Sequence, residues 1–315
     1  MKKSQLVGAL EGLRTLELAD LPRYKDAVTA GEQMGWGYYF PYLISRNRTG
    51  RRAVLIGEDR GSFCLYVWRR DKNAADEGGE RLDLALAPTP ASVAVVNRCI
   101  ERANDFNGDR SARILRVDEH DVDKVAAVPG LQLRPRKVQY VYTPSDFGEL
   151  TGGKYRTLRR NVASVDALSG LFVKPYTSAH APGCEALLKR WGDRHRENQG
   201  TSGGVGSTKR ALKLLGQFPE LDLRAEVVLL DDRVVAFALG GEIRPGVGCF
   251  FDAKSDADIQ GLSYFHRYRF LSSLTDCKQV NDGSDVGRAG LRQLKTSLRP
   301  SAMHEEFRAS QTKRR

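Results

Sequence analysis

The chain has 315 residues, and its 50 Lys and Arg against 39 Asp and Glu give a formal net charge of +11. A hydrophobic share of 41% supports a sizeable core, and the length fits one large domain or two of ordinary size. The 31 Gly and 12 Pro form no low-complexity run, which excludes a mainly disordered or fibrous chain. The charge favours a polyanionic partner: nucleic acid, an acidic membrane surface or a phosphorylated cofactor.

The sequence predicts a cytoplasmic protein without an integral membrane segment. No stretch approaches the roughly 18 uninterrupted apolar residues of a membrane span. The charges of Glu11, Arg14 and Glu17 follow the basic N-terminus too soon for a signal peptide. The five cysteines form no CxxC pair and the five histidines show no metal-ligand spacing. We therefore expect free, mostly buried thiols and no metal site.

Two stretches of the chain predict the same order of elements: a hairpin, a strand, a helix, a strand and a helix. The first stretch contains strands at 53–57, 62–68 and 82–86, a helix at 91–106, a strand at 112–117 and a helix at 119–128. The second contains strands at 225–230, 234–239 and 247–252, a helix at 259–274, a strand near 278–281 and a helix at 287–298.

An apolar helix face is expected before each hairpin. The residues expected to form these faces are Leu6, Leu10, Leu13 and Leu16 for the first hairpin, and Ala186, Leu187 and Trp191 for the second. Trp191 is expected to fill a core rather than to stack a base. This order of elements is typical of an α/β (α+β) fold with two tandem acetyltransferase-like (GNAT) domains and a cleft between them. We place the domains at residues 1–143 and 144–315, with the Gly-rich segment 199–207 as a surface loop or a lid.

The last predicted helix carries the most informative pattern. Leu291, Leu294 and Leu298 fall at i, i+3 and i+7 and predict a buried stripe. A separate basic stripe at i, i+4, i+7 and i+11 contains Arg288, Arg292, Lys295 and Arg299. Ser284 or Asp285 is expected to cap the helix, and Pro300 to end it. The stripe is either a solvated basic face or a site for an anion.

A second basic cluster occupies residues 151–162. Tyr155, Leu158 and Val162 point one way, while the other face is basic. The basic residues of this cluster are Lys154, Arg156, Arg159 and Arg160. Basic side chains beside an aromatic ring suit a nucleic acid backbone with bases to stack, although a cationic surface helix remains the alternative.

The usual position of a coenzyme A pyrophosphate loop, between the central strand and the next helix, is acidic in this chain. Residues 251–262 contain Asp252, Asp256 and Asp258 and one glycine, which counts against coenzyme A. The matching segment of the first stretch contains Pro88 and Pro90, which remove backbone donors. We therefore expect the N-terminal domain to be non-catalytic. The chain contains no P-loop.

Two segments resemble motifs of the phosphatidylglycerol lysyltransferase C-terminal family. Residues 146–161 resemble the pattern D-x-x-x-L-x-G-x-x-x-x-x-x-x-R-N, in which the closing residues are Arg160 and Asn161. Residues 281–300 resemble the pattern N-x-x-x-D-x-G-x-x-G-L-R-x-x-K-x-S-x-x-P, which runs from Asn281 to Pro300. The second pattern is the more specific, and the two frame about half of the chain.

The resemblance implies tandem acetyltransferase-like domains that move an amino acid from aminoacyl-tRNA to an acceptor. Phosphatidylglycerol is the best-known acceptor, and free-standing relatives act on small molecules in natural-product (antibiotic) pathways. The implied partners are therefore an aminoacylated tRNA and a small-molecule or lipid acceptor, with no cofactor besides the tRNA co-substrate. The open alternatives are an acyl-CoA-dependent N-acyltransferase and a non-catalytic module that binds RNA or a membrane.

The hypothesis assigns roles to individual residues. Arg292 and Lys295 are candidates for contacts with a phosphate or an oxyanion. Asp285 is a candidate base or a ligand of the donor's α-ammonium, unless it only caps the helix; Asp252 and Glu242 are the second and third candidate bases. The residues expected to bind tRNA are Lys154, Arg156, Arg159, Arg160, Arg288 and Arg299. Those expected to shape the substrate site are Asn281, Gly287 and Gly290.

Overall fold

The computed structural model describes residues 10–47, 50–70, 79–148, 150–199, 204–217, 221 and 223–312. Leu6 and residues 200–203 of the predicted loop or lid lie outside this part of the chain. Val205 to Ser207, the end of the predicted loop, already belong to a helix.

The strands are, in chain order, β1 (Arg14–Thr15), β2 (Arg52–Asp59), β3 (Ser62–Arg70), β4 (Glu80–Leu84), β5 (Arg113–Asp118), β6 (Leu131–Tyr142), β7 (Leu171–Pro175), β8 (Arg224–Leu230), β9 (Arg233–Arg244), β10 (Val247–Ser255), β11 (Gln279–Asn281) and β12 (Ala302–Gln311). The α-helices are α1 (Leu21–Ala30), α2 (Phe40–Ile44), α3 (Val93–Asn107), α4 (Val122–Ala126), α5 (Arg156–Asp166), α6 (Ala181–Gln199), α7 (Val205–Gln217), α8 (Leu262–Ser273) and α9 (Ala289–Ser297).

The chain divides into two units. Unit 1 comprises Met1–Val138 and His304–Arg315, and unit 2 comprises Gln139–Met303. The predicted boundary at 143/144 differs from this division, chiefly at the C-terminus. Residues 302–311, for which no element was predicted, form β12, and β12 pairs antiparallel with β5. The end of the chain therefore belongs to unit 1, although the sequence placed it in the second domain.

Unit 1 contains a mixed sheet in the order β1-β2-β3-β4-β5-β12-β6, to which β6 contributes its residues up to Val138. Helix α3 covers the centre of this sheet, because its apolar face packs on β4 and β5. That face includes Val96, Ile100 and Phe106, which are buried with Leu84 and Ile114. Ser92 caps the helix by accepting a hydrogen bond from the Val95 N–H, and left-handed Gly108 ends it.

Unit 2 contains a mixed sheet in the order β6-β11-β10-β9-β8-β7, in which only β10 and β11 run parallel. Helices α5, α8 and α9 supply most of the apolar cover. Leu158, Phe270, Leu294 and Leu298 are buried in one cluster with Phe250 of β10. The core therefore lies directly behind the segment that carries the family pattern.

The predicted order of elements is confirmed in both stretches. Hairpin β2–β3 is followed by β4, α3, β5 and α4, and hairpin β8–β9 by β10, α8, β11 and α9. The β8–β9 turn has Asp231 and Asp232 at positive φ, as a type I′ turn requires. The mixed α/β class predicted from this order is confirmed. All five cysteines are free and buried, as expected.

The predicted apolar helix before the first hairpin is wrong for its described part. Leu13 lies outside any helix, Arg14 and Thr15 form β1, and Leu16 is buried in extended chain. The helix begins later, at Leu21, where Pro22 occupies the first turn and proline is tolerated. The spacing of Leu10, Leu13 and Leu16 was misleading, because leucines of an irregular segment can each reach a core without sharing a helix face. Within the described residues, no helix has the length and hydropathy needed to cross a membrane.

Candidate active site in unit 2

The segment from β11 to α9 carries the second family pattern, and buried polar contacts fix its conformation. Asn281 is fully buried; its side chain donates to the Gln139 amide oxygen at 2.7 Å and accepts from the Gly283 N–H at 2.8 Å. The main chain of the segment also pairs with β6, through Tyr140 N–H to the Gly283 carbonyl at 3.1 Å. Asn281 was predicted to shape a substrate site. Its side chain instead fixes the backbone of the loop that follows it, through the Gly283 N–H.

Lys295 is the centre of these contacts. Its side chain is only 3% exposed, and its ammonium donates to the carbonyl oxygens of Asp282, Gly283 and Ser284. The Nζ atom also lies 3.4 Å from the Asp282 carboxylate, which forms an ion pair with Arg267. Three carbonyls and one carboxylate satisfy a lysine ammonium. Lys295 thus fastens the start of α9 to the loop before it.

Burial lowers the pKa of Lys295 from its ordinary value of 10.5 to about 8. The folded chain therefore releases this proton at a lower pH than the unfolded chain does. Between about pH 8 and pH 10.5 the unfolded state binds more protons, so the contribution of Lys295 to the free energy of unfolding rises with pH. Urea denaturation across this range is expected to show the stability of the wild type increasing relative to that of Lys295→Met. A relative stability that falls with pH would contradict the assignment.

Asp285 lies farther along the same loop, half-buried, and binds Arg292. Its Oδ2 accepts from Arg292 Nε at 2.6 Å and from the Tyr140 hydroxyl at 3.1 Å, and its Oδ1 accepts from the Gly287 N–H at 2.8 Å. The hydrogen bond from Arg292 holds the pKa of Asp285 below its usual range. An ionised carboxylate with a low pKa is a better ligand for a cation than an acceptor of protons. The predicted helix cap is wrong, because the N-cap residue of α9 is Arg288.

Val286 adopts a backbone conformation that β-branched residues rarely take. It has a φ of +47° and is 54% exposed, between Asp285 and left-handed Gly287. Crowding at a branched Cβ makes this conformation costly, on the order of 1–3 kcal/mol, and no burial of the side chain offsets the cost. The loop therefore stores strain beside Asp285.

Replacing Val286 by glycine is expected to raise the free energy of unfolding by about 1 kcal/mol, since glycine tolerates positive φ. Val138→Gly is the matched control, because Val138 is an exposed strand residue for which the same change is expected to destabilise. Chemical denaturation of both variants measures whether each change raises or lowers the free energy of unfolding. A destabilised Val286→Gly would mean that the left-handed conformation carries no strain.

Arg288 connects this loop to a second group of side chains. Its Nη2 lies 2.9 Å from His195 Nε2, and the imidazole of His195 stacks on Trp191 with centroids 4.8 Å apart and planes at 13°. The Lys254 ammonium lies 4.9 Å from the Trp191 ring centroid. Burial, with the nearby Arg288 and Lys254, lowers the pKa of His195, so its Nε2 accepts from Arg288. Trp191 is half-buried, and its ring contacts His195 and Lys254. The prediction that Trp191 fills a core is therefore wrong.

Asp252 ties the cluster to strand β10. Its carboxylate accepts from Thr208 Oγ1 at 2.6 Å, from Lys254 Nζ at 2.6 Å and from the Ala253 N–H at 2.8 Å. The register of β10 against β9 shifts between Phe250 and Asp252, as in a β-bulge. Three donors occupy the carboxylate, so in this conformation Asp252 anchors Lys254 and helix α7.

Glu242 lies elsewhere on the sheet. It pairs in register with Gly248, near the start of β10, and its side chain accepts from the Gly246 N–H at 3.2 Å. Asp252 is four residues farther along β10, which corresponds to about 13 Å of extended strand. The third candidate base therefore belongs to the β9–β10 turn, apart from the cluster around Asp252.

The predicted basic stripe does not form as one face. Arg288 is the N-cap residue of α9, Lys295 is buried, and Arg299 follows the helix with a φ of +57°. Of the four residues, Arg292 is the one that lies exposed on the helix itself. The leucine stripe is confirmed in part, because Leu294 and Leu298 are buried and Leu291 is half-buried. Gly287 and Gly290 lie exposed at the start of α9.

The second basic cluster forms helix α5 from Arg156 onward, whereas Lys154 precedes the helix, and the cations differ in what they bind. Arg159 donates to the carbonyl oxygens of Leu150 and Gly152, and Arg299 donates to the Lys154 carbonyl at 3.1 Å. The Lys154 ammonium lies 5.0 Å from the Tyr155 ring centroid. Arg156 and Arg160 are exposed and form no ion pair with the described residues. Arg159 and Arg299 therefore hold the backbone before α5, whereas Arg156 and Arg160 face solvent.

The acidic segment between β10 and α8 is neutralised by basic neighbours. Asp256 lies near Arg233 and Arg190, and Asp258 binds Arg194 at 2.5 Å. Left-handed Gly261 caps α8, and a Cβ at this position would lie 3.1 Å from the Asn161 carbonyl oxygen of α5. Helix α5 thus packs closely on the start of α8, where a pyrophosphate would need free backbone N–H groups.

The architecture is a mixed α/β fold, and several solved structures share it, FemX among them. A conserved protein of unknown function from Bacteroides thetaiotaomicron aligns with a TM-score of 0.78 at 21% identity, over 95% of this chain and 99% of that chain. L-PGS from Bacillus licheniformis aligns with a TM-score of 0.64 at 13% identity, over 96% and 94%. FemX aligns with a TM-score of 0.56 at 8% identity, over 97% and 96%.

The chain belongs to the phosphatidylglycerol lysyltransferase C-terminal family. The model of that family matches residues 92–310, more than two thirds of the chain. The C-terminal domain of a putative lysylphosphatidylglycerol synthetase from Agrobacterium fabrum also aligns, with a TM-score of 0.62 at 19% identity over 93% of this chain and 92% of that chain. The comparison with curated proteins gave no match. The resemblance found in residues 146–161 and 281–300 is therefore confirmed.

Sequence reasoning missed His195, Lys254 and Thr208 as members of the site. Each lies far along the chain from the 281–300 pattern, and only the packing of α6, α7 and β10 brings them together. Trp191 and His195 are four residues apart on α6, which places them on one helix face. That spacing was the one signal in the sequence that could have linked them.

Proposed function

We propose that the protein is an aminoacyltransferase that moves an amino acid from aminoacyl-tRNA to the amine or hydroxyl of a small-molecule or lipid acceptor. Membership of the family supports the transferase class. The observation that carries the proposal is the Asp285–Arg292 pair, held on a loop that Lys295 fastens from inside. An ionised carboxylate beside an exposed guanidinium suits a ligand that has both an ammonium and a carbonyl group, as an aminoacyl ester does.

The proposed reaction needs no phosphoanhydride, because the ester of aminoacyl-tRNA is already activated. The acceptor's nucleophilic atom attacks the ester carbonyl carbon, and the bond from that carbon to the ribose oxygen breaks. The proton lost by the acceptor ends on the ribose hydroxyl that leaves. In the proposal Asp285 binds the α-ammonium of the donor, and Arg292 stabilises the negative charge that develops on the carbonyl oxygen.

The aromatic cluster is proposed to hold the other part of the donor. Trp191 and His195 stack, and Lys254 and Arg288 lie beside them, so a ring and two cations occur together. A base with a neighbouring phosphate would find stacking and charge at such a place. Arg156 and Arg160, exposed on α5, are proposed to bind more distant phosphates of the tRNA.

The test is transfer of radiolabel from a pool of charged tRNAs, with a cell extract as the source of acceptor. We expect label to leave the tRNA and to appear in an acid-soluble or lipid product only when the protein is present. Arg292→Ala is expected to reduce transfer by about 100-fold, since it removes one charge from the transition state. Gln293→Ala is the matched control, because Gln293 is the exposed neighbour of Arg292 on α9.

The alternatives give different results. An acyl-CoA-dependent N-acyltransferase would transfer label from an acyl-CoA and not from charged tRNA. A non-catalytic RNA-binding module would bind charged and uncharged tRNA alike and leave the aminoacyl ester intact. The absence of protein-dependent transfer from every charged tRNA, with extract present, would overturn the proposal.

A further inference from the structure

Unit 1 contains a cluster of histidine and carboxylate side chains that the proposed transfer does not use. Asp118, His120 and His304 each offer one metal-binding atom, and these atoms lie within 4.8 Å of one another. His120 follows the end of β5 and His304 lies on β12, so the two histidines are far apart in the sequence. The expectation of no metal site rested on spacing, and spacing cannot detect ligands from two distant strands.

His304 is the member of the cluster that most needs a partner. Its side chain is 1% exposed, and neither ring nitrogen makes an aligned hydrogen bond with the described residues. Nε2 nevertheless lies 3.2 Å from Asp118 Oδ2, and Nδ1 lies 2.9 Å from Glu119 Oε1. A buried imidazole that faces a carboxylate at each ring nitrogen requires positive charge, which a second ring proton or a metal ion at Nε2 would supply.

The surroundings of His304 resemble those of a metal ligand. In protein metal sites, the ring nitrogen that does not bind the ion usually donates to a carboxylate, which fixes the tautomer and the ring orientation. Glu119 occupies that position beside Nδ1, and the Glu305 N–H holds its other oxygen at 2.7 Å. Asp118 is held in turn by the Gly35 N–H at 2.7 Å.

The cluster also has a side through which an ion can enter. The His120 side chain is 40% exposed and its Nδ1 lies 2.9 Å from Asp118 Oδ1. The Gly35 backbone approaches the inner side closely, because a Cβ there would lie 2.9 Å from Asp118 Oδ2 and 3.4 Å from His304 Nε2. The cluster is therefore accessible from solvent and is not filled by a side chain at residue 35.

We infer that Asp118, His120 and His304 form a binding site for a divalent transition metal ion of the zinc class, with Glu119 as the residue that orients His304. Two imidazoles and one carboxylate favour such an ion over Mg²⁺ or Ca²⁺, which prefer oxygen ligands. Three protein ligands leave a fourth position of a tetrahedral ion for water. The site joins β5 to β12, so a bound ion would also fasten β12 to the rest of unit 1.

The test uses the full chain without a histidine tag, stripped with a chelator, dialysed against Zn²⁺ and analysed for metal content. We expect one zinc per chain, and a visible absorption band when Co²⁺ replaces Zn²⁺. His120→Ala is expected to weaken zinc binding at least 10-fold and to leave the circular dichroism spectrum unchanged, because His120 is at the surface. His180→Ala is the matched control, since His180 belongs to unit 2 and binds Thr177.

Glu119→Gln separates orientation from coordination. It is expected to weaken binding while keeping one zinc per chain at saturation, because the amide still fills the position beside Nδ1. The inference is overturned if the wild type retains no zinc, or if His120→Ala binds zinc as tightly as the wild type and the His180→Ala control do. Either result would mean that His304 binds no metal and forms ion pairs with Asp118 and Glu119 as an imidazolium.

Discussion

Lys295→Met is expected to lower the free energy of unfolding by about 3 kcal/mol. The substitution removes the Lys295 ammonium from the carbonyl oxygens of Asp282, Gly283 and Ser284, of which the Gly283 oxygen keeps the Tyr140 N–H as a donor. It also leaves the Asp282 carboxylate with Arg267 as its remaining ion-pair partner. Equilibrium denaturation in urea at neutral pH measures the change.

The control for this prediction is Lys189→Met, which makes the same chemical change at an exposed position of α6. It is expected to alter stability by less than about 0.5 kcal/mol. If Lys295→Met reduced stability by less than about 1 kcal/mol, the loop before α9 would not depend on Lys295. Transfer activity is a second readout, because a loosened loop would displace Asp285 from Arg292.

Arg156→Glu combined with Arg160→Glu is expected to weaken tRNA binding by about 10- to 100-fold at moderate salt. Both side chains are exposed on α5 without an ion pair among the described residues, so the change costs little stability. The affinity falls as salt rises, and each phosphate that no longer binds a cation makes the slope of log affinity against log salt less steep by about one. The double variant is therefore expected to have a slope that is less steep by about two. Filter binding of labelled tRNA at several salt concentrations measures both quantities.

The matched control reverses two exposed arginines of unit 1, Arg134 and Arg308, and so changes the net charge equally. If the two double variants bound tRNA with the same reduced affinity, tRNA would respond to the overall charge of +11 and not to helix α5. Arg159→Ala is expected to behave differently again. It removes donors from two backbone carbonyls, so its main effect is on stability rather than on the salt slope.

Local patterns predicted most elements of both repeats, because hairpins, capped helices and apolar stripes are encoded within a few residues. Local patterns did not indicate the first part of the long strand β6, since residues 131–137 are mainly polar and incompletely buried. Strand β12 was missed for a related reason: its alternating polar residues find their partners on β5, far earlier in the chain.

The family pattern located the site, but helical spacing assigned Lys295 to the wrong surface. Spacing on a helical wheel cannot tell an exposed cation from one that turns inward to reach carbonyl oxygens. The burial of Lys295 depends on the preceding loop folding back over the helix, which is a tertiary contact. In the same way, Trp191 and His195 share a face of α6, but their link to Arg288 exists only in the folded unit.

The position of β12 has a consequence for the order of events during synthesis. Residues 139–303 of unit 2 leave the ribosome before the strand that unit 1 needs between β5 and β6. The N-terminal segment must therefore wait, with one edge of β5 unpaired, until β12 emerges. Unit 2 can complete its own sheet first, so the segment translated second is expected to be the first to reach its native state.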